Sequence, residues 1–237
     1  MAKLLRINLS TRTSSVEEVP EDYNKFGGRG LTSCIIEKEV PPTCDPLGAE
    51  NKLVWAPGLM GGTVAPCSGR LSVGAKSPMT NGIKEANTGG AMGQKLARLG
   101  LKAVIFEGKA NEPTTVEITK DGVSFTSAAG LAGLGSYEIV EKLKDKYGKN
   151  ACISCIGPAG DMELLAASVM FTTPDFHLRV AARGGLGAVM GSKKMKAVIV
   201  DDTGSNLVEV KDPAKLKESC GVINKVILGD HFAQGLR

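Results

Sequence analysis

The sequence predicts an α+β domain built by internal duplication, and two observations carry that prediction. Two glycine pairs stand in matching surroundings: Gly89-Gly90 leads to Lys102-Ala103-Val104-Ile105, and Gly184-Gly185 leads to Lys196-Ala197-Val198-Ile199. From the second glycine to that lysine is twelve residues in one case and eleven in the other. Upstream of each pair lies a hydrophobic run ending in Gly and Pro, at residues 53–58 and 152–158. A repeat of this kind places its units near 53–108 and 151–202. A pseudo-two-fold axis between them should bring the two glycine pairs together. The expected domain is residues 1–207, and residues 208–237 read as the start of a following helical domain, cut short.

Taken in order, residues 3–9 alternate as a strand, 10–13 turn, and 14–19 return as a hairpin. Gly27-Gly28-Arg29-Gly30 opens a helix that runs to Glu39 and is stopped by Pro41-Pro42. Residues 52–56 form a buried strand, and residues 70–75 alternate as another, turned by Lys76-Ser77-Pro78. A loop around Asn87 follows, then a short helix over 91–99 and a strand over 103–107. Residues 114–119 and 123–126 form a hairpin around Lys120-Asp121-Gly122. Ser136 caps an amphipathic helix with Ile139, Val140, Leu143 and Tyr147 on one face, ended by Gly148. Residues 151–156 are a strand. Asp212-Pro213 opens the last helix, with Leu216, Cys220, Ile223 and Ile227 on one stripe.

The chain of 237 residues can bury a substantial core. A net charge of +4, no basic block and only 4% aromatic residues argue against a nucleic-acid partner. The amino terminus has no signal-peptide h-region, and no apolar run approaches the ~20 residues that span a bilayer. A soluble, cytoplasmic protein is expected. Cys152-Ile153-Ser154-Cys155 has metal-pair spacing but lies in a strand, where positions three apart face opposite ways. Both sulfurs therefore read as buried apolar groups rather than as ligands.

The chemistry concentrates at residues 179–193, where Arg179 and Arg183 flank a glycine-rich stretch. Glycines allow close approach of a ligand to backbone N–H groups, and arginines fit phosphate oxygens bidentately. The stretch is a phosphate-bearing cofactor loop or, alternatively, a tight turn with solvated arginines. Its duplication suggests two similar ligands or one ligand with two halves. A dinucleotide-binding loop around Gly185, Gly187 and Gly191 is a rival reading. It is opposed by the charged run before the glycines and by a helix of about two turns, short for a parallel crossover.

Six stretches, in order from about residue 3 to residue 202, carry a resemblance. They are Gly27-Gly28-Arg29-Gly30-Leu31, Ala65-Pro66-Cys67-Ser68-Gly69-Arg70, Lys76-Ser77-Pro78, Ala86-Asn87-Thr88-Gly89-Gly90, Ile156-Gly157-Pro158-Ala159-Gly160 and Arg183-Gly184-Gly185-Leu186-Gly187-Ala188-Val189-Met190-Gly191-Ser192-Lys193. Together they resemble the amino-terminal domain of the tungsten-containing aldehyde ferredoxin oxidoreductases. The resemblance implies a duplicated α+β fold of two β-sheets with short helices, forming a base for two pterins. Their dithiolenes hold tungsten, or molybdenum in some relatives, without a protein ligand. A Mg²⁺ between the pterin phosphates takes backbone carbonyls, here those of Asn87 and Val180. Arg70, Thr88, Gly89, Arg179, Ala181 and Ala182 match pterin-contacting positions, and Gly90, Arg183, Gly184 and Gly185 complete the two loops. Val180 and Ala182 depart from the smaller residue or glycine of many relatives.

The implied activity converts an aldehyde and water to a carboxylic acid. Ferredoxin or an iron–sulfur subunit takes the electrons, in anaerobic metabolism. The family's [4Fe–4S] cysteines and acid/base residues lie in later helical domains, and none of the six cysteines here stands at a matching position. The present chain is therefore expected to be inactive alone, with those domains, and a second copy in a homodimer, as partners. No catalytic residue is assigned, His177 and His231 being the only histidines. The alternative is a non-catalytic pterin-binding module or small subunit.

Overall fold

The computed structural model describes residues 2–205 and 208–234. The first half of the chain runs β1 (Lys3–Asn8), β2 (Thr13–Glu18), α1 (Glu21–Asn24), α2 (Gly28–Glu39), β3 (Leu53–Pro57), β4 (Leu71–Lys76), β5 (Ile83–Thr88), α3 (Met92–Arg98) and β6 (Leu101–Glu107). The second half runs β7 (Thr114–Thr119), β8 (Gly122–Ser127), α4 (Ser136–Tyr147), β9 (Cys152–Cys155), α5 (Pro158–Asp161), β10 (Val169–Thr172), β11 (Leu178–Ala181), α6 (Leu186–Ser192) and β12 (Met195–Val200). Each half makes one six-stranded sheet, ordered β2-β1-β6-β3-β4-β5 and β8-β7-β12-β9-β10-β11.

Position by position, the two sheets have the same connectivity. The hairpin β1–β2 corresponds to β7–β8, and both first strands run parallel to the last strand of their half. The antiparallel run β6-β3-β4-β5 corresponds to β12-β9-β10-β11. Both parallel pairs even shift register near the start of β6 or β12. The duplicated unit is thus longer than residues 53–108 and 151–202. It takes in the preceding hairpin and long helix of each half, whose sequences have diverged too far to show the repeat.

The main core lies between the sheets. Leu53, Trp55, Leu71 and Val73 from the first sheet meet Val169, Phe171 and Val198 from the second, with α3 and α6 inserted between them through Met92, Leu96, Leu186, Val189 and Met190. Trp55 packs edge-on against Phe106 at 5.0 Å and against Phe171 at 5.1 Å, joining the two halves. On the outer faces, α2 covers the first sheet with Leu31, Ile35 and Ile36, and α4 covers the second with Ile139, Val140 and Leu143. Strands β4 and β12 are buried along their whole length; β12 reads as a near-continuous apolar run, whereas β4 keeps its alternation with Ser72 and Lys76 buried.

Two expectations need correction. Asn87 and Thr88 are not in a loop but end the edge strand β5, whose polar residues Lys84, Glu85 and Asn87 hid its strand character. The cap of α4 is Gly135, one residue before Ser136, and the Gly135 N–H is taken by Glu138 Oε2 at 2.8 Å. The expected stripe lies on α7 (Pro213–Gly229), where only Cys220 is buried and Ile223 is 46% exposed. The capping of α7 by Asp212, through Lys215 N, is as expected. A terminal turn, α8 (His231–Gln234), follows. The expected boundary at residue 207 lies outside the described residues. Among those described, no helix is long and apolar enough to cross a membrane.

Cys152 and Cys155 face opposite sides of β9, one into the inter-sheet core and the other under α4. Burial pushes the thiol of Cys152 up to about 11 and that of Cys155 up to about 12, which leaves no thiolate to react near neutrality. Iodoacetamide at pH 8 should modify the exposed Cys67 in the native protein and reach Cys152 and Cys155 only after denaturation, as read by peptide mass spectrometry. Native-state labelling of Cys155 would show that α4 does not cover the sheet.

Candidate functional site

The free edges of the two sheets, β5 and β11, lie beside one another. Each is followed by one of the glycine pairs, so the duplication brings the loops together as expected. Each loop is held by the opposite half. In the first, the Ala91 N–H donates to Thr172 O at the end of β10, 3.0 Å away. Gly90 sits at φ +105°, and a β-carbon there would stand 2.7 Å from the same oxygen. In the second, the buried Ser77 hydroxyl donates to Gly184 O at 2.8 Å. Gly185 has φ +71°, and a β-carbon there would meet Leu165 O at 2.5 Å and Pro78 Cγ at 2.8 Å. Here the backbone itself requires glycine, by conformation and by space. The Lys76-Ser77-Pro78 stretch thus serves to seat the second loop.

Three arginines surround the loops, all exposed: Arg70, Arg179 and Arg183. Among the described residues none of them meets a carboxylate. Arg70 Nε donates to the side-chain oxygen of Asn87, and Arg179 Nη1 to Leu178 O at 3.2 Å. Gly89 lies between two of them, since a β-carbon there would stand 3.7 Å from Arg70 Nη1 and 3.9 Å from Arg179 Cγ. Arg98, by contrast, is tied to Asp202.

Residues that the sequence reading passed over set the orientation of this group. Buried Glu85 on β5 accepts from Ser72 Oγ at 2.6 Å and from Arg29 Nε at 3.0 Å. Ser72 Oγ accepts in turn from Asn87 Nδ2 at 3.4 Å. A continuous polar chain therefore runs Arg29–Glu85–Ser72–Asn87–Arg70, and it fixes which end of the Asn87 amide faces Arg70. The Gly27–Gly30 stretch, a helix start and one of the six stretches noted in the sequence, joins this chain of hydrogen bonds through Arg29. Nothing in linear spacing signals this, because the partners come from three elements.

Of the other expected residues, Thr88 and Ala181 are buried, Gly89 and Gly90 are partly exposed, and Val180 is 40% exposed on its edge strand. Ala182 is exposed, but its carbonyl accepts from Ser168 Oγ at 3.0 Å. Among the described residues no group of three or more His, Cys, Asp and Glu is placed to hold a metal ion. The hard oxygen donors at the paired edges are main-chain carbonyls together with the side-chain oxygens of Glu85, Asn87 and Thr88 on β5. His177 is exposed, its backbone N–H bonded to Thr173 Oγ1.

Such a site can hold a multiply charged anion. The glycines admit it to the backbone, the arginines neutralise it, and no acidic side chain contacts those arginines. The arrangement does not suit a dinucleotide fingerprint. Three successive antiparallel pairings separate β11 from β12, so α6 connects antiparallel strands and not the parallel ones such a fingerprint requires.

Comparison with known proteins agrees on one family. Residues 4–202 match the family described as the aldehyde ferredoxin oxidoreductase N-terminal domain. The tungsten-containing aldehyde ferredoxin oxidoreductase of Thermococcus kodakarensis is 42% identical, over 90% of this chain and 35% of its own length. That of Pyrococcus furiosus is 40% identical over the same shares. The aliphatic sulfonate oxidoreductase WOR-like subunit of Pyrococcus furiosus is 34% identical over 91% of this chain and 36% of its own. Among solved structures, the active site complex BamBC of benzoyl coenzyme A reductase, in complex with 1,5 dienoyl-CoA, superposes with a TM-score of 0.88. It is 30% identical, covering 95% of this chain and 34% of that one. The chain therefore spans about a third of the length of these relatives.

Proposed function

The chain belongs to the family of aldehyde ferredoxin oxidoreductase N-terminal domains, and on that premise we propose that it is the base holding a bis-pterin cofactor of tungsten, or of molybdenum, in an aldehyde:ferredoxin oxidoreductase. The observation that carries the reading is the pair of cross-pinned glycine loops ringed by three arginines that meet no carboxylate. When bound, the cofactor supplies the oxygen-transfer and two-electron chemistry by which an aldehyde and water become a carboxylic acid.

This chain's residues bind and orient. Arg70 and Arg179 take pterin or phosphate oxygens on either side of Gly89, and Arg183 does so at the second loop. Asn87 and Val180 offer main-chain carbonyls to Mg²⁺, and Thr88, Gly89, Gly90, Ala181, Ala182, Gly184 and Gly185 form the floor. Acid/base groups and a [4Fe–4S] cluster are assigned to the two thirds of the relatives' length that this sequence does not align with. Such a cluster would supply the route for electrons to ferredoxin or an iron–sulfur subunit, in the cytoplasm.

The test is Arg179→Ala in the full-length protein, with tungsten and pterin measured per polypeptide. A charge-assisted contact to a phosphate contributes about 1.5–3 kcal/mol. Cofactor retention should fall roughly tenfold or more, with the fold intact by circular dichroism. Lys142→Ala, an exposed position on α4, is the control and should change nothing. Full tungsten and pterin loading of Arg179→Ala would refute the assigned role. A loaded wild-type protein without aldehyde oxidation would favour the non-catalytic module.

A further inference from the structure

The two halves treat their glycine loops alike, and one residue of that arrangement has no assigned role. When Gly89-Gly90 is aligned with Gly184-Gly185, Lys84 on β5 falls opposite Arg179 on β11. The structure repeats this equivalence in space. The stem of Arg179 passes over Gly89, the first glycine of the other half's loop. The stem of Lys84 passes over Gly184, the first glycine of the other loop. A β-carbon on Gly184 would overlap Lys84 Cγ and stand 3.0 Å from both Cδ and Cε. Each edge strand therefore sends one cation across the seam onto the opposite loop.

The ammonium of Lys84 is also set apart by what it lacks. Among the described residues, every other lysine that is at least partly buried has a partner. Lys3, Lys52, Lys95, Lys144 and Lys196 pair with carboxylates. Lys76, Lys102, Lys109 and Lys193 donate to main-chain carbonyls. Lys84 is partly buried, its stem fixed against Gly184, and its Nζ makes no hydrogen bond or ion pair among the described residues. The stem is packed while the ammonium is accessible, so the charge is held at the second loop and open to an incoming anion.

We propose that Lys84 is a cofactor-binding cation, the counterpart of Arg179, and that its ammonium neutralises a phosphate oxygen of the pterin seated at the second loop. The inference rests on the pterin reading above and adds a residue to it. Lys84 acts by binding, not by chemistry on the aldehyde.

The experiment compares Lys84→Met, which keeps an unbranched stem over Gly184 and removes the charge, with Lys84→Arg, which keeps the charge. Both are made in the full-length protein. Pterin and tungsten per polypeptide are measured as isolated and after a wash in 1 M NaCl, with melting of the cofactor-free forms as the structural readout. Lys84→Met should retain cofactor roughly tenfold less well, the effect of one lost charge-assisted contact. Lys84→Arg should stay near wild type, and the cofactor-free forms should all melt together. Wild-type retention in Lys84→Met overturns the proposal and leaves the pterin reading standing. Equal cofactor loss in Lys84→Met and Lys84→Arg also overturns it, because the stem and not the charge would then matter. A wild-type protein that contains no pterin ends both readings.

Discussion

Gly191→Ala should leave little folded protein, whereas Gly221→Ala, the same change in another helix, should stabilise it slightly. Gly191 is the sixth residue of α6, a helix buried along its whole length between the sheets. A β-carbon at Gly191 would fall inside the carbonyl oxygen of Gly160 on α5 and 2.7 Å from that carbonyl carbon. The obstruction is main chain on both sides, so no rotamer change relieves it. Helices α5 and α6 would have to part, pulling Val189 and Met190 out of the inter-sheet core. Overpacking costs typically 1–3 kcal/mol where side chains can adjust. Here they cannot, and a loss above about 4 kcal/mol is expected, a large share of the ~5–15 kcal/mol that holds a domain folded. At Gly221 in α7 an added β-carbon meets nothing within 4 Å, and the helix gains about 0.5–1 kcal/mol from alanine. Soluble yield and urea midpoints of the two variants check this. Near-wild-type stability of Gly191→Ala would mean that α5 and α6 do not touch through their backbones.

Legibility in the sequence followed the physical origin of each feature. The duplication could be read from the glycine pairs and the Lys-Ala-Val-Ile runs because both copies of these meet the same constraint, a backbone-tight loop followed by a buried strand. It could not be read from the hairpins and from α2 and α4. Helices α2 and α4 cover outer faces and the hairpins lie at the far ends of the sheets, where many apolar residues serve equally well. Edge strands β5 and β11 were missed because an edge needs no continuous apolar pattern. Their residues, Lys84 to Thr88 and Leu178 to Ala181, answer to the site instead. Arg70, Arg179 and Arg183 are legible as candidates because they lie within a few residues of glycines in the sequence. Arg29 and Ser77 stand in stretches that the sequence singles out, but Glu85 and Ser72 come from elements remote in sequence and become legible only once the strands are paired. The stripe on α7 is periodic and yet mostly exposed, since periodicity reports an apolar face and not what covers it.

Trp55 offers the sharpest test of how the two sheets are joined. The chain has a single tryptophan, fully buried on β3 of the first sheet, and its ring meets Phe171 of the second sheet edge-on, with planes 65° apart. Trp55→Ala removes that ring from both Phe106 and Phe171 and opens a cavity at the interface between the halves, at a cost of about 3–5 kcal/mol. Trp55→Phe should behave quite differently. It keeps an aromatic edge for both neighbours, and such pairs contribute about 0.5–1.5 kcal/mol beyond area burial. It also removes an indole N–H that is buried without a hydrogen-bond partner, a group whose burial costs about 1–3 kcal/mol. The volume lost and the donor removed oppose one another, so Trp55→Phe should lie within about 2 kcal/mol of wild type. Urea denaturation followed by circular dichroism reads both variants, with an unchanged slope showing that the same surface is exposed on unfolding. If Trp55→Phe proves as damaging as Trp55→Ala, the indole nitrogen has a partner after all, and the interface is held there by a hydrogen bond. If neither variant is destabilised, the two sheets are held together elsewhere, by α3 and α6, and the Trp55–Phe171 contact is incidental to the fold.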